Sequence, residues 1–284
     1  MLMSSFINKI ISGVLVPLYK APYLPFLHIA KLFNKQSEVI SLSAHGIGSK
    51  EDPVYLTAHR GVSSVAPQNS LPAYKKAVEL GYYSAECDIH LTKDNRWVLM
   101  HNSNIDSQLC QYGEIKDHTL AELKSYSYKG GSGFWKYKDL KVATLEEYLD
   151  VFVGSKTRPQ IEIKAENYDL LYTVLDAVKA KGLEESAIII SFDLKQLQII
   201  REYNKEIELW YLIDTIDEKS IAQAKALGGN VWLSPCFRQN NAQTIQLAID
   251  AGVKASFWTV NKLEDAKMLY DMGLRYVESD IFCN

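Results

Sequence analysis

From residue 54 to the C-terminus, short apolar runs alternate with amphipathic helical stretches, and this alternation restricts the fold more than any other feature. Runs of strand character fall at 55–58, 84–91, 160–164, 187–192, 209–213, 231–234, 255–260 and 276–279, eight in all. Helical patterns at 71–80, 170–181, 194–203, 219–227, 244–251 and 264–272 separate most of them. Gly81, Gly182, Gly228, Gly252 and Gly273 follow helices, where a residue free to turn left-handed ends a helix. Strands joined through helices run parallel, because the connection is too long for a hairpin. Eight such units predict an α/β protein built as a (β/α)8 TIM barrel. An open dinucleotide-binding sheet is the poorer fit, since no G-x-G-x-x-G follows the first strand.

One run breaks the alternation. Residues 97–101 follow Leu91 after only 92–96, too short a link for a parallel crossover. The segment must return as an antiparallel hairpin around Asp94-Asn95. A turn centred there places Leu91 opposite Val98 and Asp88 opposite His101.

The inner faces of several strands carry charge, where buried strands should be apolar on both faces. Glu86 and Asp88 share one face of their strand, and Glu162 and Lys164 share a face of theirs. Adjacent carboxylates repel unless a cation or proton neutralises them. Glu86, Asp88 and Glu162 make an all-oxygen ligand set suited to Mg²⁺ or Ca²⁺. Arg60 and Lys164 add two fixed cations suited to phosphate. His59 and His101, at strand ends, supply a general acid and a general base. Metal-assisted cleavage of a phosphate ester fits this set. His90 shares the inward face and reads as a supporting residue. Trp258 reads either as core or as a substrate wall, and Glu278 and Asp280 either as contacts to substrate hydroxyls or, the better fit, as polar contacts that close the barrel. Gly130-Gly131-Ser132-Gly133 lacks the strand before and the Lys-Ser/Thr after that a phosphate loop requires, and reads as a flexible loop.

Composition narrows the setting. A chain of 284 residues with 47% hydrophobic content supports one large core, and a net charge of −3 gives no reason to expect nucleic acid. Cys87, Cys110, Cys236 and Cys283 are scattered without disulfide or zinc spacing, so a reduced, cytoplasmic protein is expected. Residues 1–50 differ from the barrel segment 51–284. Before Glu38 the chain has four lysines and no acid, with aromatic and apolar residues broken by Pro17, Pro22 and Pro25. This segment reads either as a cap on the barrel or as a basic, amphipathic contact with a membrane surface. An apolar stretch follows Lys9 as in a signal peptide, but no small-x-small cleavage site closes it.

Several stretches together resemble the glycerophosphodiester phosphodiesterase family, related to the phosphatidylinositol-phospholipase-C type of TIM barrel. They are Ala58-His59-Arg60-Gly61, Pro67-Gln68-Asn69-Ser70, Glu86-Cys87-Asp88, Met100-His101-Asn102, Glu162-Ile163-Lys164, Ser191-Phe192 and Trp258-Thr259-Val260-Asn261, in that order from residue 54 onward. The resemblance implies His59 and His101 as the acid/base pair and Glu86, Asp88 and Glu162 as metal ligands. It implies Arg60 and Lys164 as phosphate contacts, Trp258 as a wall of the glycerol pocket, and residues 103–143 as a small insertion between the hairpin and the next helix. It also implies attack on phosphorus by the neighbouring glycerol hydroxyl, a cyclic phosphate, and then hydrolysis to an alcohol and glycerol 3-phosphate. Gln68 and Asn102 stand where the family usually has acids; each keeps an acceptor oxygen and loses a charge. Two other functions compete: a lysophospholipase D acting on a single-chain lipid at a membrane, and a binding domain that has lost turnover.

Overall fold

The computed structural model describes residues 39–284. Among them the strands are β1 (Ile40–Ser41), β2 (Tyr55–Ala58), β3 (Ser84–Leu91), β4 (Trp97–Leu99), β5 (Arg158–Ile163), β6 (Ile188–Ser191), β7 (Glu208–Ile213), β8 (Val231–Pro235), β9 (Tyr276–Ser279) and β10 (Phe282–Cys283). The helices are α1 (Leu71–Glu79), α2 (Leu120–Ser125), α3 (Leu145–Asp150), α4 (Leu171–Ala180), α5 (Leu194–Tyr203), α6 (Glu218–Leu227), α7 (Ala242–Asp250) and α8 (Leu263–Asp271). Seven strands form a curled parallel sheet in the order β8-β7-β6-β5-β3-β2-β9, with β4 antiparallel to β3. The parallel bridges Leu233↔Ala255 and Phe257↔Val277 join β8 to β9 and complete the barrel. The expected strand at 255–260 is therefore reduced to bridges: Ala255 pairs on one side and Phe257 on the other, so no continuous ladder forms. The short β1 pairs parallel with β10 beside the ring.

Period-2 alternation sorts the barrel interior into layers. At the lower end Tyr55 stacks on Tyr276 with ring centroids 4.6 Å apart, and Tyr83 meets both edge-on at 5.3 Å. Thr57, Ser84 and Gln160 lie one layer up, joined by hydrogen bonds. Above them come the carboxylates of β3, β5 and β9. The opposite wall is apolar: Ile188, Ile190, Trp210, Leu212 and Trp232 form one buried cluster. The outward faces, with Ile189, Leu209 and Leu233, pack into the larger core beneath the helices. The charged residues thus occupy one side of the C-terminal mouth, where barrel sites form.

The hairpin register departs from expectation by one residue. Leu91 pairs with Trp97, His90 with Val98 and Ile89 with Leu99, so the turn centres on Asp94 alone. Asn95 takes a left-handed φ of 56°, which accommodates the odd residue of a 92–96 connection closed by Thr92 N–H to Arg96 O at 2.9 Å. Beyond β4 the segment 103–143 has its own small core of Ile105, Leu109, Ile115, Leu123, Tyr128 and Val142, joined by Val98 and Met100. Within the Gly130–Gly133 run, Gly131 and Gly133 pack against the chain around Val65 and Pro67, while Gly130 has open space around it. A Cβ on Gly131 would lie 2.8 Å from Pro67 Cβ, and one on Gly133 would lie 2.7 Å from Val65 O.

Candidate active site

Four carboxylates meet at the mouth. Glu86 and Asp88 come from β3, Glu162 from β5 and Glu278 from β9, and all four are buried. Register brings Asp88 beside Glu162 directly. Ligand atoms of Glu86, Asp88 and Glu162 lie within 4.8 Å of one another. Lys164 Nζ lies 2.7 Å from Glu162 Oε1 and 3.1 Å from Asp88 Oδ1, and Arg60 Nε lies 3.4 Å from Asp88 Oδ2. Four carboxylates against two cations leave a formal charge of −2 in a buried space. Glu86 Oε1 and Asp88 Oδ1 have no aligned hydrogen-bond donor. Orphaned, hard oxygen atoms beside surplus negative charge fit a divalent cation of the Mg²⁺ or Ca²⁺ kind.

The protonation pattern follows from burial and neighbours. Burial opposes charge on Asp88, but Lys164 and Arg60 on either side hold its carboxyl well below the usual range. Burial, with Asp88 and other acids nearby, pushes Glu86 well up. Burial and Asp88 raise Glu162 to about 7 despite Lys164. Burial also raises Glu278 to about 7, against the pull of His59. Without a metal the cluster therefore retains protons near neutrality.

The β2-to-α1 connection shapes the Arg60 side of the mouth. Arg60 and Asn69 both adopt left-handed φ, at 57° and 52°. Arg60 N–H donates to Glu86 Oε2 at 2.8 Å, and Arg60 Nη1 donates to Gln68 Oε1 at 2.9 Å. Asn69 Nδ2 donates to Asp88 Oδ2 at 2.8 Å while Asn69 Oδ1 accepts from Asp88 N–H at 3.1 Å. Tyr74 OH donates to that same Oδ1 at 2.8 Å. Asn69 is thus a two-point clamp on Asp88. The sequence reading placed it in a motif without giving it a role.

The two histidines differ in what stands behind them. His59 Nδ1 lies 2.7 Å from Asp280 Oδ1, and Asp280 also accepts from Asn261 Nδ2 at 2.6 Å and Ser63 Oγ at 3.2 Å. Burial alone would lower the His59 pKa, but the hydrogen bond to Asp280 and the charge of Glu278 raise it. His101 Nδ1 lies 2.7 Å from the neutral Asn102 Oδ1. Burial lowers the His101 pKa, only partly offset by Asp88. His101 has left the β4 ladder, so the register slip does not remove it from the mouth; His90 Nε2 reaches its carbonyl at 3.2 Å. Asp280, expected to close the barrel or to meet substrate hydroxyls, is the partner of His59. The signal available in sequence was an acid at the C-terminal end of the last strand, the criterion that singled out Glu86 and Asp88.

Trp258 packs against the apolar interior cluster, donates from Nε1 to Ser234 O at 2.8 Å, and meets Phe192 edge-on at 5.6 Å. Two clefts flank the mouth. One of about 560 Å³ is lined by His90, Lys93, Glu114, Lys116, Lys164 and Asn167, and one of about 350 Å³ by Ser63, Ser64, Gln68, Ser132 and Asp280. A larger groove, about 950 Å³, lies outside the barrel between α7 and α8 and contains none of the site residues.

The chain is a phosphoric diester hydrolase on an α/β barrel, as its family and relatives show. The chain belongs to the glycerophosphoryl diester phosphodiesterase family, whose family model matches residues 59–281. It is 25% identical over 260 residues to a glycerophosphodiester phosphodiesterase of Bacillus subtilis, covering 83% of this chain and 86% of that one. It is 29% identical over 231 residues to the Caldanaerobacter subterraneus enzyme of the same name, covering 78% and 92%. Among solved structures, an Oleispira antarctica phosphodiesterase in complex with the product sn-glycerol-3-phosphate superposes with a TM-score of 0.74 at 23% identity, covering 85% of this chain and 96% of that one. A glycerophosphodiester phosphodiesterase from Parabacteroides distasonis superposes with a TM-score of 0.68 at 25% identity, covering 80% and 94%.

Proposed function

We propose that the protein cleaves glycerophosphodiesters to an alcohol and glycerol 3-phosphate in a metal-dependent reaction, with His59 and His101 moving the protons. The observation that carries this reading is the pair of differently backed imidazoles around one buried carboxylate group with two cations. Glu86, Asp88 and Glu162 would hold Mg²⁺ or Ca²⁺, which when bound supplies positive charge to the phosphate oxygens. Arg60 and Lys164 bind the non-bridging oxygens and fix the phosphorus before them.

His101 donates its Nδ1 proton to Asn102, a neutral acceptor, which leaves Nε2 as a free base. That nitrogen takes the proton from the glycerol hydroxyl next to the phosphate. His59, backed by the Asp280 carboxylate, holds a proton on Nε2 and delivers it to the leaving alcohol oxygen. A cyclic glycerol phosphate results. In the second half His59 takes a proton from water as its oxygen attacks phosphorus, and His101 returns its proton to the opening glycerol oxygen. Protons balance over the cycle. Trp258 and Phe192 form the apolar wall against the glycerol carbons.

The flanking clefts mix Lys, Glu, Ser, Gln and Asn side chains with Leu91, Ile115, Ala165 and Ile281, so a hydrophilic head group and a lipid chain both find lining there, and a comparison of substrates separates them. No helix among the described residues is long and apolar enough to cross a membrane. The membrane-surface reading of residues 1–50 falls largely on residues 1–38, outside the described residues.

Glycerol 3-phosphate release from glycerophosphocholine and from lysophosphatidylcholine, with and without chelator, tests the proposal. Faster turnover of glycerophosphocholine, lost on chelation and restored by Mg²⁺ or Ca²⁺, is expected. His59→Ala and His101→Ala should each lose about 10²–10⁴-fold while remaining folded. Full activity after exhaustive chelation, with Glu86→Ala also active, would remove the metal. Absence of turnover on every diester would favour the binding-domain reading.

A further inference from the structure

Beside the three-carboxylate group lies a second set of ligand atoms, on the His59 side of Glu86. His59, Glu86 and Glu278 each offer one atom, all within 4.8 Å of one another. One imidazole and two carboxylates make a softer set than three carboxylates, better matched to a transition-metal ion than to Mg²⁺ or Ca²⁺.

Each residue of the set is held from behind. His59 Nδ1 is bound by Asp280 at 2.7 Å, and Asp280 Oδ2 by Asn261 Nδ2 at 2.6 Å. A carboxylate on one ring nitrogen fixes the imidazole and leaves the other nitrogen as donor, the arrangement found behind metal-bound histidines. Glu278, 3% exposed, is anchored through Oε2 by Gln160 Nε2 at 3.2 Å. Its Oε1 faces His59 Nε2 at 3.8 Å, too far for a hydrogen bond. Two donors about 2.0–2.2 Å from one zinc ion span up to roughly that separation. Glu86, 1% exposed and common to both groups, is anchored through Oε2 by Arg60 N–H, and its Oε1, buried without any hydrogen-bond partner, lies where a carboxylate would bridge the two ions.

We propose that His59, Glu86 and Glu278 form a second divalent-cation site, selective for a transition-metal ion such as Zn²⁺, whose occupation inhibits the enzyme. Ligation would take the Nε2 lone pair of His59, the atom assigned to proton transfer. Charge explains why this site fills only at excess ion. One divalent cation already balances the formal −2 of four carboxylates and two cations, so a second adds uncompensated positive charge. The inference rests on reading Glu86, Asp88 and Glu162 as the first cation site, and its test separates the two.

The full chain is saturated with Ca²⁺ and titrated with Co²⁺, whose visible absorption reports nitrogen and oxygen ligation, with ion counts from equilibrium dialysis. One further Co²⁺ per chain is expected on top of Ca²⁺. Glu278→Gln should weaken it by roughly tenfold or more and raise the Zn²⁺ concentration for half inhibition in parallel. Glu162→Gln should weaken Ca²⁺ and preserve the cobalt spectrum. No Co²⁺ uptake by the Ca²⁺-saturated protein, or a spectrum unchanged by Glu278→Gln, would overturn the second site. If Glu278→Gln does not fold, His59→Gln decides the matter: a cobalt spectrum that survives loss of the imidazole sinks the proposal. Cobalt bound through His59 in a chain that takes up no Ca²⁺ would overturn the first site and leave this one standing.

Discussion

His59 and His101 bring the same ring to the same mouth with opposite backing, and the difference can be read from pH. Asp280 raises the His59 pKa, so Asp280→Asn should lower it. With His59 as the proposed acid, the alkaline limb of kcat/KM should move to lower pH. Asn102→Asp should raise the His101 pKa by placing a charge 2.7 Å from Nδ1 in place of a dipole. With His101 as the proposed base, the acidic limb should move to higher pH. Profiles measured at saturating metal check both, and limbs that move the other way would exchange the two roles. Glu86, Asp88 and Glu162 are legible in sequence because strand periodicity puts them on one inward face, whereas His59 and His101 lie just beyond β2 and β4 and follow only from their place at strand ends. Asp280 was not given its role because its contact joins positions 221 residues apart. Asn69 was missed because its function depends on a left-handed φ of 52° that turns its amide onto Asp88.

At the scale of elements, the hairpin and the 103–143 insertion show where pattern reading stops. The short link made β4 antiparallel, but a single left-handed residue, Asn95, set the register. Likewise, glycine content marks a turn without saying what packs on it. Gly133 sits at φ 60° with Val65 O where a Cβ would go, and the neighbouring loop carries Gln68 and Asn69 to the site. Gln108 Nε2 also binds Gln68 O at 2.8 Å, so the insertion supports the loop that aims Arg60. Gly133→Ala should cost about 1–3 kcal/mol through backbone strain and overpacking and lower kcat/KM as the loop shifts. Gly130→Ala is the control, with nothing within 4 Å of its Cβ position and no left-handed φ. Thermal unfolding and turnover compared across the two variants test this; equal melting temperatures would show that the contact at Gly133 yields freely.

For the whole molecule, strand–helix alternation was enough to specify a barrel, while its closure through the bridges at Ala255 and Phe257 depends on pairing that no local pattern encodes. Residues 1–38 precede β1, whose pairing with β10 begins at Ile40. A chain starting at residue 39 should keep full activity on soluble diesters, whereas lysines near an anionic surface contribute about 1 kcal/mol each to any membrane attachment. Activity on vesicle-borne lipid should then fall more than activity on soluble diesters, and flotation with anionic vesicles should be lost. An insoluble truncated chain would show the segment to be part of the barrel's packing. The carboxylate cluster makes the protein's stability depend jointly on metal and pH. In the metal-free protein Glu162 and Glu278 have pKa values near 7, raised from an ordinary 4.5. A raised folded-state pKa stabilises below the unfolded value, and that stability is lost as pH climbs through the folded value. The chelated protein should therefore lose stability from about pH 4.5 to 7. A divalent ion held by ionised Glu86, Asp88 and Glu162, as proposed, would offset the Glu162 share of the loss, adding about 2.7 kcal/mol at a hundredfold excess over Kd. Melting temperatures with chelator and with Ca²⁺ should thus diverge as pH rises across this window. Parallel curves would mean that Glu162 does not hold the ion.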